Sequence, residues 1–378
     1  MKLMHLSDLH LGKRLNGFSL LEDQAYILDR VAETAAALRP DAVLIAGDVY
    51  DRPAPPEEAV HLFDGFLYRL FALGLTVFVI SGNHDSAERI GFGSRMMAPL
   101  LRFSPAYDGT ARPAVLRDAW GEVNIYSLPF IKPATVRRFF PEREIGSYTD
   151  ALRAAVERMA PDPAARNVLI AHQFVTGGIC SDSEEISVGG LDDVDAGVFD
   201  GFDYVALGHL HSPQSVGRET LRYCGSPLKY SFSETDRQKS LTMVELGAKG
   251  EVSLRILPLS PLRDLRELRG GYDELMLRAN YLGTAVEDYL RVVLTDEEEV
   301  YGAMDRLRTV YPNIMALEYD NARARAGALD EPEAERLESM SEEELFAAFY
   351  AAQNGAPMSP EQLEFSHALF EAVREETR

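Results

Sequence analysis

Ala42-Val43-Leu44-Ile45-Ala46-Gly47-Asp48 is a five-residue apolar run that stops on a glycine and a carboxylate. A run this short, partly β-branched and ended by a turn residue, reads as a strand buried on both faces. The same pattern recurs on either side. Upstream, Lys2–Leu6 gives way to Ser7-Asp8-Leu9-His10; downstream, Thr76–Ile80 gives way to Ser81-Gly82-Asn83-His84-Asp85. Helical patterns fill the intervals, over Leu20–Leu38 and Pro56–Leu73, the second opening on prolines. Strands alternating with helices predict βαβ units and a parallel sheet covered on both faces. More strand runs follow at Val123–Leu128, Val168–Ala171, Tyr204–Leu207, Leu221–Cys224, Leu241–Leu246 and Val252–Leu257. The closer spacing of the later ones predicts antiparallel pairs.

Near Pro258–Pro261 the pattern changes. Leu265–Leu268, Tyr289–Leu294 and Ile314–Tyr319 read as strands, with helices near Tyr272–Arg278 and Glu297–Val310. This predicts a small α/β unit over 261–320 after a first domain over 1–260. From 321 to 378 the chain reads as a polar linker and two helices, Ser341–Ala352 and Ser359–Glu375. Each helix opens on a capping signature, Ser341 with Glu344 and Ser359 with Gln362.

An apolar fraction of 46% supplies an ordinary globular core. No run approaches the roughly 18 to 20 apolar residues needed to span a bilayer, so no membrane role is expected. The first residues carry no apolar signal core, and the two cysteines, Cys180 and Cys224, form no CxxC pair. Both features fit a reducing, cytoplasmic setting. Net charge is −22, but residues 330–378 hold 13 acidic against 3 basic residues, leaving 47 against 35 elsewhere. Such acidity lowers the expectation of tight, metal-independent nucleic-acid binding without excluding it, since local field matters more than the global sum.

Polar residues of one kind follow the strand ends: Asp8 and His10, Gly47-Asp48, Asn83-His84, then His172, then His209 and His211. Five of the eight histidines follow a predicted strand directly. Singly, each reads as a cap or turn residue. Jointly they read as a site, since strand carboxyl ends face the ligand crevice of an open α/β sheet. Asp8 and His10, two apart, face the same way in extended chain. Imidazole, carboxylate and amide donors without thiolate favour manganese, iron or zinc. Asp8, His10, Asp48, Asn83, His172, His209 and His211 are too many for one ion and suit two, with Asp48 as the natural bridge. His84, beside Asn83, is free to point to substrate.

The series Asp8-x-His10, Gly47-Asp48-x-x-Asp51-Arg52, Gly82-Asn83-His84-Asp85, His172 and Gly208-His209-x-His211 resembles the calcineurin-like metallophosphoesterase superfamily. Within it, Gly47–Pro53, Gly82–Ser86 and Tyr223–Leu228 leading to Ser231-Phe232-Ser233-Glu234 resemble the bacterial SbcD nuclease subunits. The resemblance implies an α/β fold: a central two-sheet metallophosphoesterase sandwich flanked by helices, with a small α/β capping domain and C-terminal helices. It implies two divalent metal ions, most often manganese. Asp8, His10, Asp48 and His211 would hold one, and Asp48, Asn83, His172 and His209 the other. His84 would contact the scissile phosphate and protonate the leaving oxygen. Relatives carry a histidine where this chain has Asp51, which leaves open whether Asp51 assists His84 or pairs with Arg52. The implied activity is a 3′–5′ double-strand exonuclease and hairpin endonuclease. The implied partners are DNA, an SbcC-type ATPase docked on the C-terminal helices, and a second copy in a homodimer. A cyclic-nucleotide or nucleotide phosphodiesterase of the same superfamily is the rival enzyme, and a scaffold with a decayed site the rival of another class. Lys13, Arg14, Arg89 and Arg95 are candidates for DNA contact only because they lie beside the expected metals; taken singly, each reads first as solvated surface charge.

Overall fold

A computed structural model of the chain describes residues 1–93, 100–104, 106–110, 112–184, 193–321, 340–354 and 357–376. Two compact units emerge. One comprises Met1–Arg269, Asp273–Val293 and Gly302–Glu318; the other comprises Gly270–Tyr272, Leu294–Tyr301 and Tyr319–Arg378.

The first unit contains two six-stranded sheets. Strand β1 (Lys2–Leu6), β4 (Ala42–Ala46), β5 (Thr76–Ile80) and β6 (Leu101–Phe103) run parallel, in that spatial order. On the other side of β1, β13 (Ser240–Leu246) and β14 (Val252–Pro258) add antiparallel strands, as the closer late spacing predicts. The second sheet orders β11 (Gln214–Val216), β12 (Arg218–Tyr223), β10 (Tyr204–Gly208), β9 (Arg166–His172), β8 (Gly121–Leu128) and β7 (Ala114–Asp118). Its inner four are parallel and both edges antiparallel. A hairpin of β2 (Arg14–Leu15) and β3 (Phe18–Ser19) follows β1.

Side-chain alternation shows why the strands read as continuous apolar runs. Leu3, Leu44, Ala46, Phe78 and Ile80 face the second sheet and meet Ile125, Val168, Ile170 and Tyr204 in one core. Their neighbours Met4, Leu6, Val43, Ile45, Val77 and Val79 face away, onto helices α1 (Leu21–Leu38) and α2 (Glu57–Ala72). Ile27, Leu28 and Val31 of α1 and Phe63, Phe66 and Leu70 of α2 cover that face at helical spacing. Each such side chain, fully buried, contributes about 1.5–3 kcal/mol relative to exposure. The sheet is thus covered on one side by helices and on the other by a sheet.

A three-stranded sheet, β15 (Leu265–Gly270), β16 (Tyr289–Leu294) and β17 (Ile314–Tyr319), falls almost wholly in the first unit. The helix expected over Glu297–Val310 is confined to Ala303–Leu307. It begins after Gly302, whose left-handed φ of 62° ends any regular helix from upstream.

In the second unit, helices α5 (Glu342–Asn354) and α6 (Pro360–Glu376) form a hairpin; α3 (Ala87–Ile90) and α4 (Tyr148–Met159) belong to the first unit. Both expected capping boxes form: Ser341 and Glu344 bond each other's backbone N–H, as do Ser359 and Gln362. Phe346 and Phe370 meet edge to face, 5.7 Å between centroids.

Candidate metal centre

At the carboxyl ends of the parallel strands the chain turns sharply through left-handed backbone. Asp8 (φ 54°), His10 (φ 43°), Asp48 (φ 48°) and His209 (φ 106°) all adopt it without being glycine. Such residues cost about 1–3 kcal/mol each and cluster at functional sites. Asp8 and His10 therefore reach the centre from a turn, and the expected extended-strand geometry does not hold. Loop pairing fixes the turn: Asp8 N–H donates to Gly47 O (3.1 Å), His10 N–H to Asp48 O (2.9 Å) and Leu11 N–H to Val49 O (2.9 Å). Asp85, in the third loop, accepts from the N–H groups of Val49, Tyr50 and Gly82, each at 3.0 Å. It thereby ties two of the site loops together, and burial pushes its pKa up to about 6.

Two glycines bring the elements within reach. A Cβ on Gly82 would lie 2.1 Å from Asp48 Oδ1. A Cβ on Gly208 would lie 1.9 Å from Ala46 O, so the two sheets touch backbone to backbone here.

All seven expected donors converge. His10 Nε2 and His211 Nε2 face each other at 3.1 Å. Asn83 Oδ1 lies 2.9 Å from His172 Nε2 and 3.0 Å from His209 Nδ1. Between these two groups sits Asp48 Oδ2, 3.3 Å from His172 Nε2 and 3.6 Å from His10 Nε2. Several donors are also anchored outside the cluster. His172 Nδ1 lies 2.8 Å from Ala46 O, and in the neutral ring a proton held there would leave Nε2 free to bind a metal. Asp8 Oδ1 accepts from His209 N–H (2.9 Å), and Asp48 Oδ1 from His84 N–H (2.9 Å).

The cluster is buried and electrostatically divided. Burial pushes Asp8 up to about 7, His10 down to about 4 and His209 down to about 3, and it lowers His211 as well. At Asp48 burial is outweighed by His172, His10 and His84, which hold the carboxyl well below its usual range. At His172 burial is outweighed by Asp48 and Asp8, and its pKa rises to about 9. Asp8 Oδ2 and His10 Nδ1 are buried without a hydrogen-bond partner among the described residues. A buried polar atom left so costs about 1–3 kcal/mol. An unpaired carboxylate oxygen and facing imidazole nitrogens are what bound cations would satisfy. Three donor sets, Asp8–His10–His211, His10–Asp48–His84 and Asp8–Asp48–His172, each lie within 4.8 Å of one another.

His84 is only half-buried and stands edge-on to His10, centroids 4.8 Å apart. Its Nδ1 lies 3.1 Å from the backbone carbonyl of Asp51. The Asp51 side chain instead bonds Lys13 Nζ at 2.9 Å, with His10 Nδ1 and Arg52 Nε each at 3.7 Å. Asp51 thus meets His84 through its backbone.

Lys13 is committed to Asp51, and one nitrogen of Arg14 donates to Gly17 O. Arg89 donates to Pro53 O at 2.8 Å, while Arg95 lies outside the described residues. Sequence reasoning missed the supports: Gln24 and Tyr230 donate to the carbonyls of His10 and Leu9, and Ser183, Glu184, Glu234 and Lys239 surround His211. Only Glu234 lay in a quoted motif, and nothing in its spacing ties it to His211.

Residues 1–213 match the calcineurin-like phosphoesterase family. Residues 261–354 match the family described as the type 5 capsule protein repressor C-terminal domain, SbcD_C. The SbcD subunit of the nuclease SbcCD from Staphylococcus epidermidis is 35% identical over 322 residues, 84% of this chain and 85% of that protein. A dimetal phosphatase from Danio rerio aligns over 69% of this chain and 98% of its own, at 10% identity and a TM-score of 0.41. The two family matches, with identity sustained along most of both chains, make this protein a member of the calcineurin-like phosphoesterases and, among them, of the SbcD family of nuclease subunits.

Proposed function

We propose that this chain is the nuclease subunit of an SbcCD-type complex, hydrolysing phosphodiester bonds at double-stranded DNA ends and in hairpins. The convergence of seven donors from the two sheets carries the reading. Asp8, His10, Asp48 and His211 would hold one divalent ion; Asp48, Asn83, His172 and His209 would hold the other. The position of Asp48 Oδ2 between His10 and His172 supports its bridging role. Manganese suits this thiolate-free set. Bound there, two divalent ions would supply charge neutralisation at the phosphoryl oxygens and activation of the attacking water.

The protein's own groups do the rest. Asp85 and the paired loops hold the donors, so little reorganisation accompanies reaction. With its Nδ1 proton directed to Asp51 O, His84 is oriented to protonate the departing 3′ oxygen from Nε2. Lys13, Arg14, Arg89 and Arg95 lie near these loops in sequence and contribute to DNA binding. The hairpin of α5 and α6 docks the coiled coil of an SbcC-type ATPase, and the active form is a homodimer. No helix among the described residues is long and apolar enough to cross a membrane. The free thiols Cys180 and Cys224 support a cytoplasmic setting.

The test is a manganese-dependent assay on end-labelled duplex and hairpin DNA, with and without SbcC-type partner and ATP. Release of 3′ nucleotides and opening of hairpins is expected. Hydrolysis of cyclic nucleotides with DNA left intact would overturn the nuclease reading.

A further inference from the structure

Apart from Nε2, which faces His10, every polar atom of His211 is held by groups the proposed reaction does not use. Its N–H donates to Glu184 Oε1 (2.6 Å), and its carbonyl accepts from Lys239 Nζ (2.7 Å) and Ser226 N–H (3.1 Å). Its Nδ1 lies 2.6 Å from Ser183 Oγ. Ser183 Oγ in turn lies 2.6 Å from Oε1 of Glu234, a residue with no solvent exposure. The other oxygen of Glu234 accepts a hydrogen bond from Lys239, which is 4% exposed and also donates to Ser226 Oγ. The carboxylate itself is 3.7 Å from His211 Nδ1, so the hydroxyl is the link.

A serine hydroxyl has one proton to give. Here three acceptors compete for it: Glu234 Oε1, His211 Nδ1 and, at 2.8 Å, Ser181 Oγ. The carboxylate makes the stronger, charge-assisted bond and takes it. Ser183 then has only lone pairs to offer His211, and Nδ1 must carry the imidazole proton. That leaves Nε2 as a bare donor facing His10.

We infer that Ser183 and Glu234 are positioning residues for the metal centre: through the Ser183 hydroxyl, the Glu234 carboxylate fixes the ring orientation and tautomer of His211. Lys239 supplies the compensating charge and, through the His211 carbonyl, holds the same residue's backbone. The effect on metal binding rests on the two-ion reading above; the effect on the tautomer does not.

Glu234→Ala would strand the buried Lys239 ammonium and endanger the fold. Ser183→Ala therefore carries the test, with Ser183→Thr as the conservative control. In metal-free, histidine-labelled protein, nitrogen NMR should show His211 protonated at Nδ1, and Ser183→Ala should lose that fixed tautomer. Titrated with manganese alone in a calorimeter, Ser183→Ala should weaken one of two sites by about 10–100-fold and leave the other unchanged. Ser183→Thr should restore it. A wild-type His211 protonated at Nε2, or undiminished manganese affinity at both sites in Ser183→Ala, would overturn the inference. If wild-type protein binds no manganese yet shows the Nδ1 tautomer, the two-ion reading fails and the positioning stands.

Discussion

At the donor cluster, Asp8 Oδ2 and His10 Nδ1 are buried without a hydrogen-bond partner among the described residues; in the C-terminal hairpin, Phe349, Phe365 and Leu369 stand 62%, 71% and 56% exposed. The first region has excluded water from polar atoms. The second has satisfied its helix starts with capping boxes and left apolar surface in water. Each lacks what the other has in hand. A polar deficit in a buried pocket calls for cations, at about 1–3 kcal/mol per unpaired group. An apolar deficit on a helix pair calls for another apolar surface, at roughly 25 cal/mol per Å² covered. The donor cluster and the hairpin thus leave opposite kinds of surface unsatisfied.

That contrast breaks most completely at Asp48. If its carboxylate serves both ions, Asp48→Asn should abolish hydrolysis and reduce metal stoichiometry. Two undiminished sites by calorimetry would show that the cluster does not depend on a shared ligand. His84 gives the next effect in size. As a proton donor outside both ligand sets, it should keep both metals when changed to alanine while the rate falls by about 10² to 10⁴-fold. A lost metal in His84→Ala would move it into the cluster, where its proximity to His10 and Asp48 already allows it. The hairpin gives the third. Phe346 and Phe370 pack on each other, so changing them would damage the hairpin itself. Phe349→Glu with Phe365→Glu spares that contact and should weaken capture of the SbcC-type partner, by about 2 kcal/mol or more if either is an anchor. Metal-dependent nuclease activity without the partner should be unaltered. Partner affinity unchanged in this double variant would place the dock elsewhere.

Much of the donor cluster was legible because its donors lie at or just beyond the ends of buried strands, most of which announce themselves by apolar runs stopping at Gly or Ser. The hairpin was legible for a similar local reason, since Ser341 with Glu344 and Ser359 with Gln362 are three-residue signals. What escaped is long-range or conformational. Asp8 and His10 cooperate through left-handed turns that no alternation rule foresees. Glu234 meets Ser183 across 51 residues, and Gln24 meets Tyr230 across 206. The helix expected over Glu297–Val310 failed at Gly302, where backbone freedom outweighed the propensity of Glu297-Glu298-Glu299 upstream.

The contact of Gly208 with Ala46 makes the donor end of the sandwich a caliper closed to its stop. Asp8, His10, Asp48 and Asn83 ride on one jaw, and His172, His209 and His211 on the other. Because the stop is main chain against main chain, side-chain substitutions in the core cannot narrow the opening further, only spring it wider. A size-increasing change deep between the sheets would then reach the site as a joint displacement of three histidines from four partners, with every donor still chemically intact.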